Sequence, residues 1–169
     1  MQQTITDLES YLQKCLEELK MLEAILARAG EINSLFSAIG KVILIFLGAF
    51  VTTKEVANQV LGATNGINTV IFTLAGLLIA VIAGLEAAFK WEKNATELKS
   101  LAGTCQKHIR EGKYRLAKVH LMELDEKRQE AIEALVDDVN KHLDDIYEKS
   151  TTLGINVVRE IALNKSETT

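Results

Sequence analysis

The sequence has no proline, only two cysteines and few aromatic residues, and its charge is missing from one long stretch. Without proline, no helix is kinked or stopped by a ring that lacks an amide proton. Leu, Ala, Glu and Lys dominate instead, and these are good helix formers. The expected fold class is all-α. Cys15 and Cys105 lie in charged flanks with no CxxC or Cys–His neighbourhood, which argues against a zinc site. Both fall on apolar helix faces and read as small core residues, which a reducing cytosol suits. The formal charge is -4, whereas a nucleic-acid partner would favour a basic face. The first 30 residues are rich in charge and lack the apolar core of a secretory signal.

The missing charge is the most informative absence. From Val56 to Leu85 there is no Asp, Glu, Lys or Arg, although 25% of the whole chain is charged. Two apolar stretches frame this gap. Ile32 to Thr53 holds 22 residues and one charge, Lys41. At about 1.5 Å per residue it reaches roughly 33 Å, against a hydrocarbon core of about 30 Å. Ile67 to Leu85 holds 19 residues and no charge. These predict a two-span transmembrane hairpin over 32–91, with spans at about 32–53 and 67–88. Lys54-Glu55 mark a water-facing end, and Gly62 and Asn65-Gly66 are turn signals. Asn58, Thr64, Asn65, Asn68 and Thr69 around the tip form either a polar pore mouth or a solvated loop.

The flanks carry heptads. Ile5, Leu8, Leu12, Cys15, Leu19, Leu22, Leu26 and Ala29 recur at alternating steps of 3 and 4, the spacing of a coiled-coil seam. Gly30 and Asn33 are expected to weaken that helix, so 1–31 reads as an N-terminal cytoplasmic helix. Beyond the second span no stop signal intervenes, and Trp91, Ala95, Leu98, Ala102, Cys105 and Ile109 continue at heptad spacing. A helix continuous from about Ile67 to Glu111 is expected, with a break at Gly112. Tyr114, Ala117, Leu121 and Leu124, then Ile132, Val136, Val139, Leu143 and Ile146, give further stripes. They make 92–150 a set of cytoplasmic helices, one long helix or two joined near the polar stretch Glu123–Glu130. A short helix and frayed tail are expected over 151–169. Each stripe alone would expose its seam to water, so a bundle or association between copies is expected.

Lys54 is the one basic residue in the loop between spans, whereas Lys20, Arg28, Lys90, Lys93, Lys99 and Lys107 flank them. The positive-inside rule then places both termini in the cytoplasm. Asn94-Ala95-Thr96 matches a glycosylation acceptor, but on the cytoplasmic side it reads as chance. In the second span Gly76, Ala80, Gly84 and Ala88 recur every four residues, a small-residue ladder that lets another helix approach closely. Gly40, Gly48 and Thr52 offer a counterpart on the first. Trp91 suits the interface as an anchor.

Signals for catalysis are missing: the sequence contains no Walker A motif, no GxSxG and no dinucleotide fingerprint. No catalytic residue, cofactor or metal site is expected, and His120 with Glu123 is an isolated HxxE pair. Lys41 and Glu86 are the charges nearest the membrane interior and so the functional candidates there. Lys41 either lines an oligomeric pore or snorkels to the headgroups.

In the order of its parts the chain resembles the SLATT domain: a soluble N-terminal helix, two spans on a short loop, and a second span leading into a long cytoplasmic helix. The stretch LLIAVIAGLEAAFKWEKNATELKSLAGTCQKHIREGKY is the most similar part, with a small-residue-rich span and an aromatic exit at Phe89 and Trp91. The resemblance covers about residues 10–150. It implies a membrane effector of a prokaryotic conflict system, a homo-oligomer that forms a pore or disrupts the inner membrane in antiphage cell death. A sensor or nucleotide-signalling protein would trigger it. The competing expectation is a membrane-anchored helical scaffold that recruits a partner without conducting ions.

Overall fold

The computed structural model describes residues 2–61, 66–122 and 125–155. The described residues are helical almost throughout, with no strand among them. Four helices follow one another: α1 Gln2–Leu61, α2 Gly66–Phe89, α3 Trp91–His120 and α4 Asp125–Thr152. Contacts divide the chain into two units, one gathering Met1–Gly30 with Thr96–Thr169, the other Glu31–Ala95.

In the first unit the heptad stripes are the core. Ile5, Leu12, Cys15, Leu19, Leu22 and Leu26 of α1 are buried with Leu98, Ala102, Cys105 and Ile109 of α3. Ile132, Val136, Val139, Leu143 and Ile146 of α4 join the same cluster. Leu16, Ile25, Leu101 and Leu135 widen each stripe beyond the strict heptad, as three helices around one core require. Polar pairs tie the rims: Arg128 donates to Glu9 at 2.8 Å, Arg115 to Asp138, and the Tyr147 hydroxyl to Glu18.

Four expectations are corrected. Gly30 does not end the first helix, because α1 runs unbroken to Leu61. A single glycine costs a helix about 1 kcal/mol, which strong helix formers on both sides absorb. Gly112 does not break α3 either. A Cβ built there would lie 2.8 Å from Leu16 Cδ2, so this glycine lets α1 pack against α3. The stripe through Tyr114, Ala117 and Leu121 is exposed, Leu121 to 83%. The core register instead continues through Ile109, Gly112, Leu116 and Val119. Lastly, no continuous helix joins Ile67 to Glu111, because the chain breaks at Lys90, whose φ is 48°.

The other boundaries follow local chemistry. The junction of α3 with α4 falls between His120 and Asp125, at the start of the polar stretch. The end of α4 closes with Gly154 at φ 78°, Gly154 N–H donating to Thr151 O at 2.9 Å and Ile155 N–H to Ser150 O at 3.0 Å. That is the left-handed cap in which glycine carries no Cβ penalty. Of the short helix and tail expected over 151–169, Thr151 and Thr152 belong to α4 and everything beyond Ile155 lies outside the described residues, as do Glu123 of the HxxE pair, Leu124 of the expected stripe and the tip residues Thr64 and Asn65. So do the side chains of Thr52, Asn58, Asn68 and Thr69.

Candidate functional site

The second unit holds two helices long and apolar enough to cross a membrane. A helix of that composition is often the core of a soluble protein, but here 11% and 6% of the two most apolar windows are buried. Phe46 is 73% exposed and Ile45 70%, and Leu35, Phe36, Val42, Leu74, Leu77 and Leu78 are also open. Soluble monomers rarely expose contiguous apolar patches larger than a few hundred Å².

Most of what is covered along the two apolar stretches lies on two narrow stripes. On α1 these are Ser37, Gly40, Leu44, Leu47 and Val51, and on α2 Phe72, Ala75, Ile79, Ile82 and Glu86. Both stripes step by 3 and 4, so each is a single helix face. Phe50 stacks on Phe72 at 5.0 Å, and Ser37 Oγ donates to Glu86 Oε1 at 3.0 Å. A Cβ on Gly40 would lie 3.3 Å from Glu86 Oε2 and 3.9 Å from Ile82 Cγ2. Small side chains at 37 and 40 thus make room for the one carboxylate in this seam. Glu86 Oε2 is buried and meets no donor among the described residues, and Ser37 is 4% exposed.

Lys41 and Glu86 do not pair. The Lys41 ammonium reaches Glu92, 2.6 Å away, with both side chains open to the surroundings. The ladder residues stand apart from the seam. Gly76, Ala80, Gly84 and Ala88 are exposed, and a Cβ on Gly76 or Gly84 would meet no atom within 4 Å. Gly48 is half-buried, but its Cβ position is equally open. Sequence reasoning missed Ser37 and Glu92, whereas Gly40, named from sequence as a small packing residue of the first span, does lie against α2. Ser37 shares a helix face with Leu44 and Leu47, but uniform hydropathy hides which face that is, and Glu92 carried no signal.

At the Lys90 break, Lys90 N–H donates to Glu86 O at 2.8 Å, and Asn94 N–H to Lys90 O at 2.9 Å. Asn94 Nδ2 also donates to the Phe89 carbonyl at 3.0 Å, a side-chain bond to the last carbonyl of α2. The break stacks Trp91 on Phe89, with centroids 5.8 Å apart, and tilts it against Phe36 at 5.8 Å. Three aromatic rings and Lys41, Lys90, Glu92 and Lys93 thus belong to one end of this unit.

The first unit has titratable groups of its own. His108 and His142 stack at 3.6 Å, and His142 Nε2 lies 3.4 Å from Asp138 Oδ1. Burial, then the neighbouring His142, lowers the His108 pKa. Burial pushes the Cys105 thiol up to about 11, and raises Cys15 and Tyr147 as well. These buried thiols are poor nucleophiles at neutral pH. Arg128 lies 2.8 Å from Glu9 and 3.0 Å from His120 Nδ1, which accepts from it. No group of three or more His, Cys, Asp or Glu among the described residues is placed to hold a metal ion. Nothing among family models, curated proteins or solved structures matches the chain.

Proposed function

We propose that the chain is a membrane protein in which the second half of α1 and α2 cross the bilayer as a hairpin, and in which copies associate to form a pore or disrupt the membrane. The observation that carries the reading is the outward-facing apolar surface of both helices, which water would not tolerate and lipid would. A hairpin is supported by the order of the contacts: as the α1 partner moves from Ser37 to Phe50, the α2 partner moves back from Glu86 to Phe72. The aromatic and lysine end at Trp91 fits a membrane–water interface. With Lys54 alone in the connecting loop, that end and both termini face the cytoplasm.

Association is supported by the ladder. Gly76, Ala80, Gly84 and Ala88 are not used to pack α2 on α1, and small residues let helix backbones approach closely in lipid. The SLATT resemblance adds the biological setting: an effector in antiphage or conflict-system cell death, linked to a sensor or nucleotide-signalling partner. Reconstitution of the purified chain into liposomes tests this. Dye or ion leakage is expected, and Gly84→Leu should reduce both the assembled mass in detergent and the leakage. Unchanged assembly and leakage in Gly84→Leu would remove the packing argument.

One observation favours the scaffold reading. Lys41 is engaged by Glu92 and Glu86 by Ser37 within one chain, so neither charge needs a water-filled pore. In that case the hairpin only anchors the core-forming helices, and liposomes carrying the protein leak nothing.

A further inference from the structure

We propose that copies of this chain bind one another through the outward faces of α3 and α4 in the first unit, the basic face of one copy on the acidic face of the next. This contact rests on the association of copies put forward above and gives it a second surface. Core packing orients both helices. Leu98, Cys105, Ile109 and Val119 of α3 are buried, so the opposite side carries Lys99, Lys107, Arg110, Tyr114, Lys118 and Leu121, all exposed. Between Thr96 and His120, Glu111 is the one carboxylate on that side, and it stands at the rim. On α4, Ile132, Leu135, Val139, Leu143 and Ile146 take the core. Glu126, Glu130, Asp137, Asp144 and Glu148 then point outward and are exposed, with Lys127 and Lys141 the cations among them.

Helix α1 provides the comparison within the same bundle. Its outward face mixes Asp7, Lys14, Glu17 and Arg28, the alternation expected of a face left to water. On α3 and α4 the signs are instead sorted by helix, so like charges crowd each face until the opposite face arrives. The cations that pair within the chain, Arg115 with Asp138 and Arg128 with Glu9, do so at the rims between helices and leave the basic face unspent. That face also has an apolar centre: Tyr114 is 63% exposed, with the Lys118 ammonium 5.4 Å from its ring, and tyrosine is enriched where interfaces bury their core. The two faces match in length, about 28 Å from Lys99 to Lys118 and about 33 Å from Glu126 to Glu148 at 1.5 Å per residue. An anionic lipid surface would attract the α3 face but repel the α4 face of the same bundle, whereas a second copy uses both. Because both helices share one core, the two faces point apart. The contact is therefore head-to-tail, the kind that closes a ring when its rotation allows.

A water-soluble carbodiimide tests this, because it condenses an ammonium with a touching carboxylate into an amide and takes up the water released. Full chains with light and heavy nitrogen are mixed in detergent, and cross-links between the two isotopes are read by mass spectrometry. The expected cross-links join Lys107 or Lys118 of one copy to Glu130, Asp137 or Asp144 of another, and their absence overturns the interface. Their yield should fall about tenfold as salt rises from about 0.05 M to about 0.5 M. Two variants reverse one face each: Lys107→Glu with Arg110→Glu and Lys118→Glu, and Glu130→Lys with Asp137→Lys and Asp144→Lys. Each alone should lose the cross-link, and mixing the two should restore it, because every contact between unlike variants then joins opposite charges. No recovery in the mixture overturns the interface. So does loss with the first variant only, together with binding of the wild-type chain to phosphatidylserine vesicles through α3, which assigns that face to lipid. Dye leakage from liposomes carrying the wild-type chain separates this contact from the pore. Leakage without the cross-link overturns the contact and leaves the pore standing, whereas the cross-link without leakage supports the contact and overturns the pore.

Discussion

Two glycines in one helix provide a direct measurement of core packing. Gly103 and Gly112 both lie inside α3, and both should gain about 1 kcal/mol of helix stability when replaced by alanine. Their surroundings differ. A Cβ at Gly103 meets no atom within 4 Å, whereas at Gly112 it lands 2.8 Å from Leu16 Cδ2, with Cδ1 and Cγ at 3.8 and 3.9 Å. Leu16 is itself buried, so its side chain has little room to turn away. Extra methyl groups forced into a packed core cost about 1–3 kcal/mol. Gly103→Ala should therefore stabilise by about 1 kcal/mol, while Gly112→Ala should lie between neutral and a loss of about 2 kcal/mol. The assay is thermal unfolding in detergent followed by circular dichroism. At about 2–4 °C per kcal/mol, the two midpoints should separate by about 2 to 12 °C. In a Leu16→Ala background the penalty at position 112 should vanish, a coupling of about 1–3 kcal/mol. Equal gains from both alanines would refute the close approach of α1 to α3 at this point.

The left-handed Lys90 costs about 1–2 kcal/mol that glycine would not incur, so Lys90→Gly should raise the unfolding midpoint and Lys90→Val lower it, by the same scan. Because burial and His142 lower the His108 pKa, the unfolded chain takes up a proton there more readily than the folded one. Stability should thus fall as pH drops below about 6.5, the unfolded histidine value, and His108→Gln should flatten that part of a denaturation-versus-pH profile. The Cys105 thiol, pushed up to about 11, should resist maleimide at neutral pH in the folded protein and react once the chain is unfolded, as read by mass spectrometry.

The soluble-type helices were legible because their apolar residues stand out against charge. Leu12, Leu19 and Leu22 could be placed in a core from spacing alone. The same contrast fails at a glycine. Gly112 fits a helix break or a close approach equally well in sequence, and only Leu16, nearly a hundred residues earlier, decides between them. Taking it as a break shifted the expected stripe to Tyr114 and Leu121, which are exposed, and away from Leu116 and Val119. Inside the two apolar stretches hydropathy has no contrast at all, so the seam through Leu44, Leu47, Ile79 and Ile82 could not be told from the outward faces. Glu86 was legible as a lone charge, but its partner Ser37 was not. Nor was the left-handed turn at Lys90, since a lysine carries no signal for it and Asn94 is an ordinary helix residue until it caps Phe89.

The two faces of α2 also separate two kinds of association that a small-residue pattern alone would merge. With 3.6 residues per turn, Gly76 lies about 100° around the helix from Ala75 and Ala80 from Ile79, while Gly84 and Ala88 lie about 200° from Ile82 and Glu86. Packing α2 against α1 thus consumes Ala75 and Ile79 and leaves Gly76, Ala80 and Gly84 uncovered. In lipid, apolar surface gives no net drive for helices to meet, and close backbone approach with hydrogen bonding takes its place. The Ser37–Glu86 bond serves the contact within one chain, and the ladder stays uncovered. Under the membrane reading, a substitution at Gly84 should leave the fold of the single chain intact while altering assembly. One at Ser37 or Gly40 should do the reverse, because its first effect is on the seam.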